Sequence, residues 1–262
     1  MGNDARRWTA ALRASHDRLA GLVGRLTPEQ VAGPSYCSDW TVAQVLSHLG
    51  SGAEIGLANL DAALAGDQAP SRDAYQAIWD RWNAKSPAEM AADALVSDER
   101  HVARVEGLSD DELGSVTMDF MGMTLDASAI VGLRLGEHAV HTWDVETTLD
   151  PSAAIPEGVA ELLVEVMPPR AGRLARGDKP EASPVDLAVA TTGPARSFTL
   201  RIGDEVSLSA EPAEDVKGRV SLPAEALVRL LYGRLDADHT PAGTLVDGPV
   251  SLDELRALFP GF

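Results

Sequence analysis

The chain is 262 residues long, 45% of its residues are hydrophobic, and its formal net charge is −18. This length suits two domains of ordinary size, and the apolar content is enough to fill their cores. The acidity argues against a nucleic-acid partner, because phosphates would be repelled and no stripe of basic residues offsets the repulsion.

The single cysteine and the lack of long apolar stretches indicate where the protein works. Cys37 is the only cysteine, so no intramolecular disulfide can form and a reducing compartment fits. The first residues, MGNDARRW, contain no apolar core of a signal peptide. No stretch approaches the roughly 20 apolar residues that cross a bilayer. We expect a cytoplasmic protein without a membrane partner, as a monomer or a homodimer.

The first part of the chain has the apolar spacing of long helices. They are predicted at residues 6–26, from Thr41 to about Leu60, from Tyr75 to about Val105 with a break at Pro87, and from Asp126 to Thr148. Thr41 and Gln44 form the pattern of a capping box at the start of the second helix. Four such helices fit a bundle, whose interior commonly builds metal sites from facing helices.

The pattern changes after Asp150-Pro151. Residues 156–176 still predict a helix, and GDKPEASP follows as a linker. Alternating apolar and polar residues then predict strands in PVDLAVATTG, SFTLRIG, EVSLSA and GRVSLP. Two helices, near 223–235 and 251–258, close the chain. We therefore predict an α+β protein with two domains. Residues 1–152 are predicted to form a helical bundle with a metal site. Residues 153–180 are predicted to be a helix and a linker, and residues 181–262 a smaller C-terminal α+β domain.

Three residues in two separate segments form a candidate metal site. Glu137 and His141 are four positions apart, so they lie one turn apart on the same face of a helix. His48 belongs to a different predicted helix and could meet them across a helix pair. Two imidazoles and one carboxylate are the ligand set of an open metal site, which keeps a position free for water, thiol or substrate.

Each of these residues also has an ordinary explanation. His48 alone could be a core histidine, and Glu137 a solvated carboxylate paired with Arg134. His138 is also one turn from His141 and competes with Glu137 as the ligand. Asp144 either orients a ligand imidazole, as metal-bound histidines usually need, or is a surface carboxylate.

The other aromatic and imidazole side chains are assigned ordinary roles. We expect Trp40 and Trp143 to pack the bundle rather than to touch substrate. His16, His101 and His239 are isolated in the sequence, and we expect them to be exposed.

The segments that hold the candidate ligands resemble the mycothiol-dependent maleylpyruvate isomerase family, within the wider DinB-like metalloenzymes. CSDWTVAQVLSHL fits the family's Cys-x-x-Trp-Thr-Val…His motif, and RLGEHAVHTWDV fits its Glu-x-x-x-His-x-Trp-Asp motif. The tail LPAEALVRLLYGRL resembles the group's small C-terminal domain. The resemblance implies a DinB-like four-helix bundle in which His48, Glu137 and His141 bind a divalent metal, usually zinc. In the family this metal binds the thiol of mycothiol.

The resemblance also implies residues around the metal. The family's equivalent of Cys37 flanks the metal pocket, so we assign Cys37 to cofactor binding. The family has a functional arginine in its C-terminal domain, which could match either Arg234 or Arg229. We predict Arg234 as catalytic, together with Asp144, and Arg229 as cofactor-binding, because a guanidinium suits the carboxylates of a thiol cofactor or an acidic substrate. An ordinary surface arginine is the alternative for both.

Together these features predict a zinc-dependent enzyme that activates mycothiol, a low-molecular-weight thiol, toward a small electrophilic substrate. The metal, zinc or another divalent ion, would deprotonate the thiol, and the thiolate would attack. The result is either S-transfer or cis–trans isomerisation. One alternative is a metal-dependent hydrolase that uses a metal-bound hydroxide. Another is a non-catalytic metal- or thiol-binding protein. The HExxH pattern of zincin peptidases is absent.

Overall fold

The computed structural model describes residues 2–37, 39–120 and 123–261. The chain divides into two compact units between Ala153 and Ala154. The second unit therefore includes the helical segment that precedes the predicted linker. Among the described residues, no helix has both the length and the apolar character that a membrane crossing requires.

The first unit is mainly helical. Its elements are α1 (Gly2–Val23), α2 (Pro28–Ala32), α3 (Val42–Ala65), α4 (Arg72–Asn83), α5 (Pro87–Glu106), α6 (Asp110–Ser115), β1 (Thr117–Phe120), β2 (Met123–Asp126) and α7 (Ala127–Glu146). Helix α3 packs against α5 and α7, and α1 packs against the same two helices. The four long helices thus form the predicted bundle.

Polar caps determine where these helices begin. The predicted capping box is confirmed at α3, where the side chain of Thr41 accepts from the Gln44 amide and the Gln44 side chain returns a bond to the Thr41 backbone. Helix α5 begins at Pro87 behind a capping box on Ser86, which explains why the third predicted helix is two helices in the structure. Asp126 caps α7. These caps satisfy backbone N–H groups that would otherwise lack partners.

Helix α3 contains glycines at positions where other side chains come close. A Cβ atom on Gly50 would overlap the Trp82 ring and lie 2.9 Å from the Cα of Ala94. A Cβ on Gly56 would lie 3.1 Å from the Nε2 atom of His101. The glycines therefore allow α4 and α5 to pack closely on α3.

The hairpin β1–β2 is absent from the sequence prediction. Its strands pair in antiparallel fashion, with Thr117 opposite Asp126 and Phe120 opposite Met123. Each strand has only four residues, which is too short for alternation to stand out. Met121 and Gly122, between the strands, lie outside the described residues.

The second unit combines helices with one sheet. Its elements are α8 (Glu157–Val166), α9 (Pro168–Leu174), β3 (Val185–Thr192), β4 (Arg196–Ile202), β5 (Val206–Ser209), β6 (Gly218–Pro223), α10 (Ala224–Leu231), β7 (Leu245–Asp247) and α11 (Leu252–Leu258). The strand order is β5-β4-β3-β6-β7, and neighbours are antiparallel except β3 and β6. Alternate residues of β3 are buried, as the predicted strand pattern requires.

Two details of the second unit differ from the prediction. The helix expected over residues 156–176 is divided into α8 and α9 at Met167, because Pro168 cannot continue the α8 hydrogen-bond ladder. Strand β7 was missed, since a three-residue edge strand has no readable period. The predicted two-domain α+β architecture, with a helical bundle first, is confirmed.

Candidate functional site

Helices α3 and α7 bring the three predicted ligands together. The Nε2 atom of His48 lies 3.3 Å from Oε2 of Glu137, and the Nε2 atom of His141 lies 3.8 Å from the same oxygen. One donor atom from each of the three residues lies within 4.8 Å of the other two. The side chains of His48 and Glu137 are 38% and 45% exposed, whereas that of His141 is 9% exposed. The group is therefore packed against the bundle on one side and open on the other.

The spacing of the donor atoms suits a small cation. Ligand atoms that each lie about 2.1 Å from a tetrahedral zinc ion stand about 3.4 Å apart. The two Nε2–Oε2 separations, 3.3 and 3.8 Å, are close to that value. Two imidazole nitrogens and one carboxylate oxygen are also the donors of many catalytic zinc sites. The residues present fit a divalent cation with at least one free coordination position.

Asp144 and Cys37 lie behind His141. Asp144 is fully buried, and its Oδ2 atom accepts a 2.8 Å hydrogen bond from Nδ1 of His141. The same oxygen accepts from Sγ of Cys37 at 3.1 Å. The alternative that Asp144 is a surface carboxylate is therefore wrong. Its bond to His141 directs Nε2 of that ring toward Glu137, and Cys37 lies next to the ligand group through Asp144.

Trp40 is a site neighbour that sequence reasoning assigned to packing. Its ring centroid is 5.2 Å from that of His48 and 6.1 Å from that of His141, and the indole is stacked on the latter ring. Trp40 is 37% exposed, so it borders the open side instead of filling the core. The sequence offered two signals: its place in the family's Cys-x-x-Trp-Thr-Val…His motif, and its position in the turn that enters α3, the helix of His48. Trp143, by contrast, is buried and packs edge-on against Tyr36, as expected.

The protonation states of His48 and Glu137 favour cation binding. Burial lowers the pKa of His48, so its ring is neutral near pH 7. Burial by itself would raise the pKa of Glu137, but the hydrogen bond with His48 and the charge of His141 outweigh burial and lower this pKa to about 2. Neutral imidazole and ionised carboxylate are the forms that bind metals.

A second group of buried histidines lies elsewhere in the bundle, and it differs from the sequence prediction. His16, His101 and His239 were expected to be exposed, but the first two are buried and the third is half-buried, with 19% of its side chain exposed. His138 was the competing ligand, but its Nε2 atom contacts Asp98 at 2.8 Å rather than the group at Glu137. The Nδ1 atom of His16 lies 2.7 Å from the same Asp98 oxygen. His138 therefore belongs to a different hydrogen-bonded cluster.

The two predicted arginines are in the second unit and are buried, so the surface alternative is wrong for both. The guanidinium of Arg229 donates to both carboxylate oxygens of Glu225, at 2.6 and 2.8 Å, and to the carbonyls of Arg234 and His239. Arg234 donates to the carbonyl of Tyr232 at 2.7 Å. These bonds organise the turn after α10. The roles of both arginines toward cofactor or substrate stay predictions.

Solved structures share this fold. One is described as the crystal structure of the mycothiol-dependent maleylpyruvate isomerase, with a TM-score of 0.67, 17% identity, and coverage of 92% of each chain. A histidine-to-alanine mutant of the mycothiol-dependent maleylpyruvate isomerase matches with a TM-score of 0.65 and 17% identity, over 94% of this chain and 96% of that one. At this level of identity the likeness establishes the fold.

Sequence comparisons lead to the family. An uncharacterized protein of Mycobacterium tuberculosis, in strains CDC 1551 and H37Rv, is 26% identical over 157 residues, which are 55% of this chain and 72% of that protein. The family model described as the mycothiol maleylpyruvate isomerase N-terminal domain matches residues 12–146, just over half of the chain. The model of the C-terminal domain of the same group matches residues 155–252. The chain therefore belongs to the mycothiol-dependent maleylpyruvate isomerase family.

Proposed function

We propose that His48, Glu137 and His141 bind a divalent cation, zinc by the chemistry of the donors, and that the protein uses it to act on a small electrophile with mycothiol. Family membership identifies the chain as a mycothiol-dependent enzyme and supports a thiol-dependent isomerase. A divalent cation at this position would lower the pKa of a bound thiol and hold it as the nucleophilic thiolate.

One observation carries the proposal: the imidazoles of His48 and His141 both face the same carboxylate oxygen of Glu137. Oε2 of Glu137 faces the Nε2 atoms of both imidazoles, at 3.3 and 3.8 Å. Nearly half of the Glu137 side chain is accessible, which leaves room for a thiol and a second substrate. The exposed indole of Trp40 supplies a flat apolar surface beside both imidazole rings. A planar unsaturated substrate would pack on such a surface.

The reaction needs no redox partner. The thiolate sulfur forms a bond to one carbon of an activated C=C bond, and the π electrons move toward the activating group. Rotation about the resulting single bond, followed by expulsion of the thiolate, restores the double bond with the opposite geometry. If the adduct instead gains a proton on carbon and leaves, the outcome is S-transfer. The shape of the electrophile pocket decides between the two outcomes.

Metal content tests the ligand assignment. We expect wild-type protein to hold about one divalent ion per chain, measured by elemental analysis after dialysis. His48→Ala removes one of three ligands and should lose most of this metal. His239→Ala, a histidine change in the second unit, is the matched control and should retain it. Equal metal in wild type and His48→Ala would contradict the assignment.

Thiol dependence separates the enzyme from the two alternatives. Adding mycothiol to cobalt-substituted protein should produce a thiolate-to-cobalt charge-transfer band, and turnover of an activated cis-alkene should require the thiol. Hydrolysis of a small ester or amide without added thiol would instead support a hydrolase that uses a metal-bound hydroxide. A charge-transfer band without turnover of any activated alkene would support a non-catalytic binding protein.

A further inference from the structure

A single guanidinium joins the helices that carry the proposed ligands. Arg134 lies on α7, one turn before Glu137, and its side chain is 10% exposed. Its Nη2 atom donates to the carbonyl of Leu49, the residue after His48, at 2.9 Å. The same atom donates to Oδ1 of Asp98 on α5 at 2.6 Å. Arg134 therefore connects α3, α5 and α7 at the level of the candidate site.

Asp98 is the anchor of this connection. Its side chain is 1% exposed, and its second oxygen contacts the imidazoles of His16 on α1 and His138 on α7. The Nδ1 atom of His138 in turn contacts Oγ of Ser15 at 2.8 Å. All four long helices of the bundle thus meet at one carboxylate or at the guanidinium bound to it. Arg134 is held directly by groups on α3 and α5, and Asp98 links it to His16 on α1.

This cluster is held by hydrogen bonds rather than by a second cation. The contacts of His16 and His138 with Asp98 are 2.7 and 2.8 Å long, shorter than the about 3.4 Å between ligands of a tetrahedral ion. The guanidinium of Arg134 already balances the carboxylate charge of Asp98. These bonds satisfy the carboxylate of Asp98, whereas the Nε atom of Arg134 is buried without a hydrogen-bond partner among the described residues.

The backbone of α3 makes space for the guanidinium. A Cβ atom on Gly52 would lie 3.0 Å from Nη1 of Arg134. Gly52 is one turn after His48, so the close approach occurs on the helix segment that carries this proposed ligand. The bond to Leu49 therefore restrains both the rotation and the distance of this segment relative to α7.

We propose that Arg134 and Asp98 are positioning residues, which hold His48 and Glu137 at the separation that cation binding needs without touching the cation. The inference rests on the proposed metal site. A change of a few tenths of an ångström between α3 and α7 alters the 3.3 Å separation of the donor atoms directly. Supporting residues of this kind typically change metal affinity about 10- to 100-fold when replaced.

The test uses the double variant Asp98→Asn/Arg134→Met. It removes the anion and the cation together, so no unpaired charge stays buried and the net charge is unchanged. The amide that replaces the carboxylate keeps the shape of the anchor, whereas the bond to the Leu49 carbonyl is lost. We expect the dissociation constant of zinc, measured by competition with a chromogenic chelator, to rise about 10- to 100-fold. The visible spectrum of the cobalt form should change as well.

Val102→Ala is the control for a general loss of stability, because Val102 is fully buried in α5 and belongs to neither cluster. It should lower the urea midpoint while keeping the zinc affinity and the cobalt spectrum of the wild type. A double variant with wild-type affinity would overturn the positioning role and leave the proposed function intact. So would a loss of affinity equal to that of Val102→Ala. Wild-type protein without zinc affinity would refute the proposed function, and this inference with it.

Discussion

The two ring nitrogens of His141 have different partners, so one nitrogen orients the ring and the other faces the candidate metal site. Nδ1 bonds to the buried carboxylate of Asp144, while Nε2 faces Glu137 at 3.8 Å. An imidazole that donates one N–H to a carboxylate has its tautomer and ring orientation determined, and its other nitrogen becomes a better ligand. Cys37 shares the same Asp144 oxygen, so the contributions of the thiol and of the carboxylate can be tested separately.

Asp144→Asn should weaken zinc binding about 10-fold while the protein stays folded. The amide is isosteric, but it lacks the charge that supports the His141 ring. Cys37→Ala removes the thiol that also bonds to this oxygen and should leave zinc affinity nearly unchanged. Chelator competition on the three proteins measures both effects. If Cys37→Ala weakens binding as much as Asp144→Asn does, the support of the site is not specific to the carboxylate.

Helix α3 combines a ligand with unusually close packing. His48 is followed within about one turn by Gly50 and Gly52, which admit Trp82 and Arg134, respectively. Glycine within a helix costs about 0.5–1 kcal/mol relative to alanine. The close approach of α4, α5 and α7 offsets that cost. The same helix that presents the ligand is therefore closely surrounded by its neighbours.

Two Gly→Ala changes should have opposite effects on stability. Gly50→Ala should lower the free energy of unfolding by about 1–2 kcal/mol, because overpacking against Trp82 and Ala94 outweighs the gain in helix propensity. Gly21→Ala in α1, where nothing lies within 4 Å of the new Cβ, should raise it by about 0.5–1 kcal/mol. Urea unfolding of the full chain measures both. Equal effects of the two changes would mean that close packing at Gly50 is not the reason for its glycine.

Several titratable groups lie in the interior of the bundle, so we expect the stability of the fold to depend on pH. Burial lowers the pKa of His101 to about 3, and the charges of Arg134 and His138 add to the effect while Asp98 opposes it. Burial would raise the pKa of Asp98, but the charges of His138 and Arg134 outweigh it and lower that pKa. Both groups therefore bind protons more weakly in the folded state than in the unfolded chain.

Stability should fall as the pH drops below about 6.5, the pKa of unfolded histidine. Between that pH and the folded pKa of about 3, the unfolded chain binds a proton at His101 that the folded chain does not. From pH 7 to pH 5 this residue should cost about 2 kcal/mol of unfolding free energy. His101→Leu should remove that part of the loss, as urea unfolding at both pH values will show.

The comparison has an internal control. At about pH 7.5 and above, His101 is neutral in both states, so wild type and His101→Leu should respond equally to pH. Identical losses of stability from pH 7 to pH 5 in the two proteins would contradict the assignment of this pH dependence to His101.

Local patterns were enough to predict most elements and to name the ligand candidates. The capping box at Thr41, the interruption at Pro87 and the alternation in β3 each depend on interactions within a few residues. For the same reason Glu137 and His141 could be placed on one helix face. The short strands β1, β2 and β7 were missed, because their pairing partners rather than their own sequences define them.

Only the tertiary structure decided which side chains meet. Glu137 and His138 are adjacent in sequence, but neighbouring helix positions point about 100° apart. One therefore faces His48, 89 residues earlier, and the other faces Asp98, 40 residues earlier. The rotation of α7 about its own axis, relative to α3 and α5, determines which of the two residues faces which helix. That rotation depends on packing across the whole bundle. The same long-range packing buries His16 and His101 and leaves Trp40 at the opening, which no local pattern encodes.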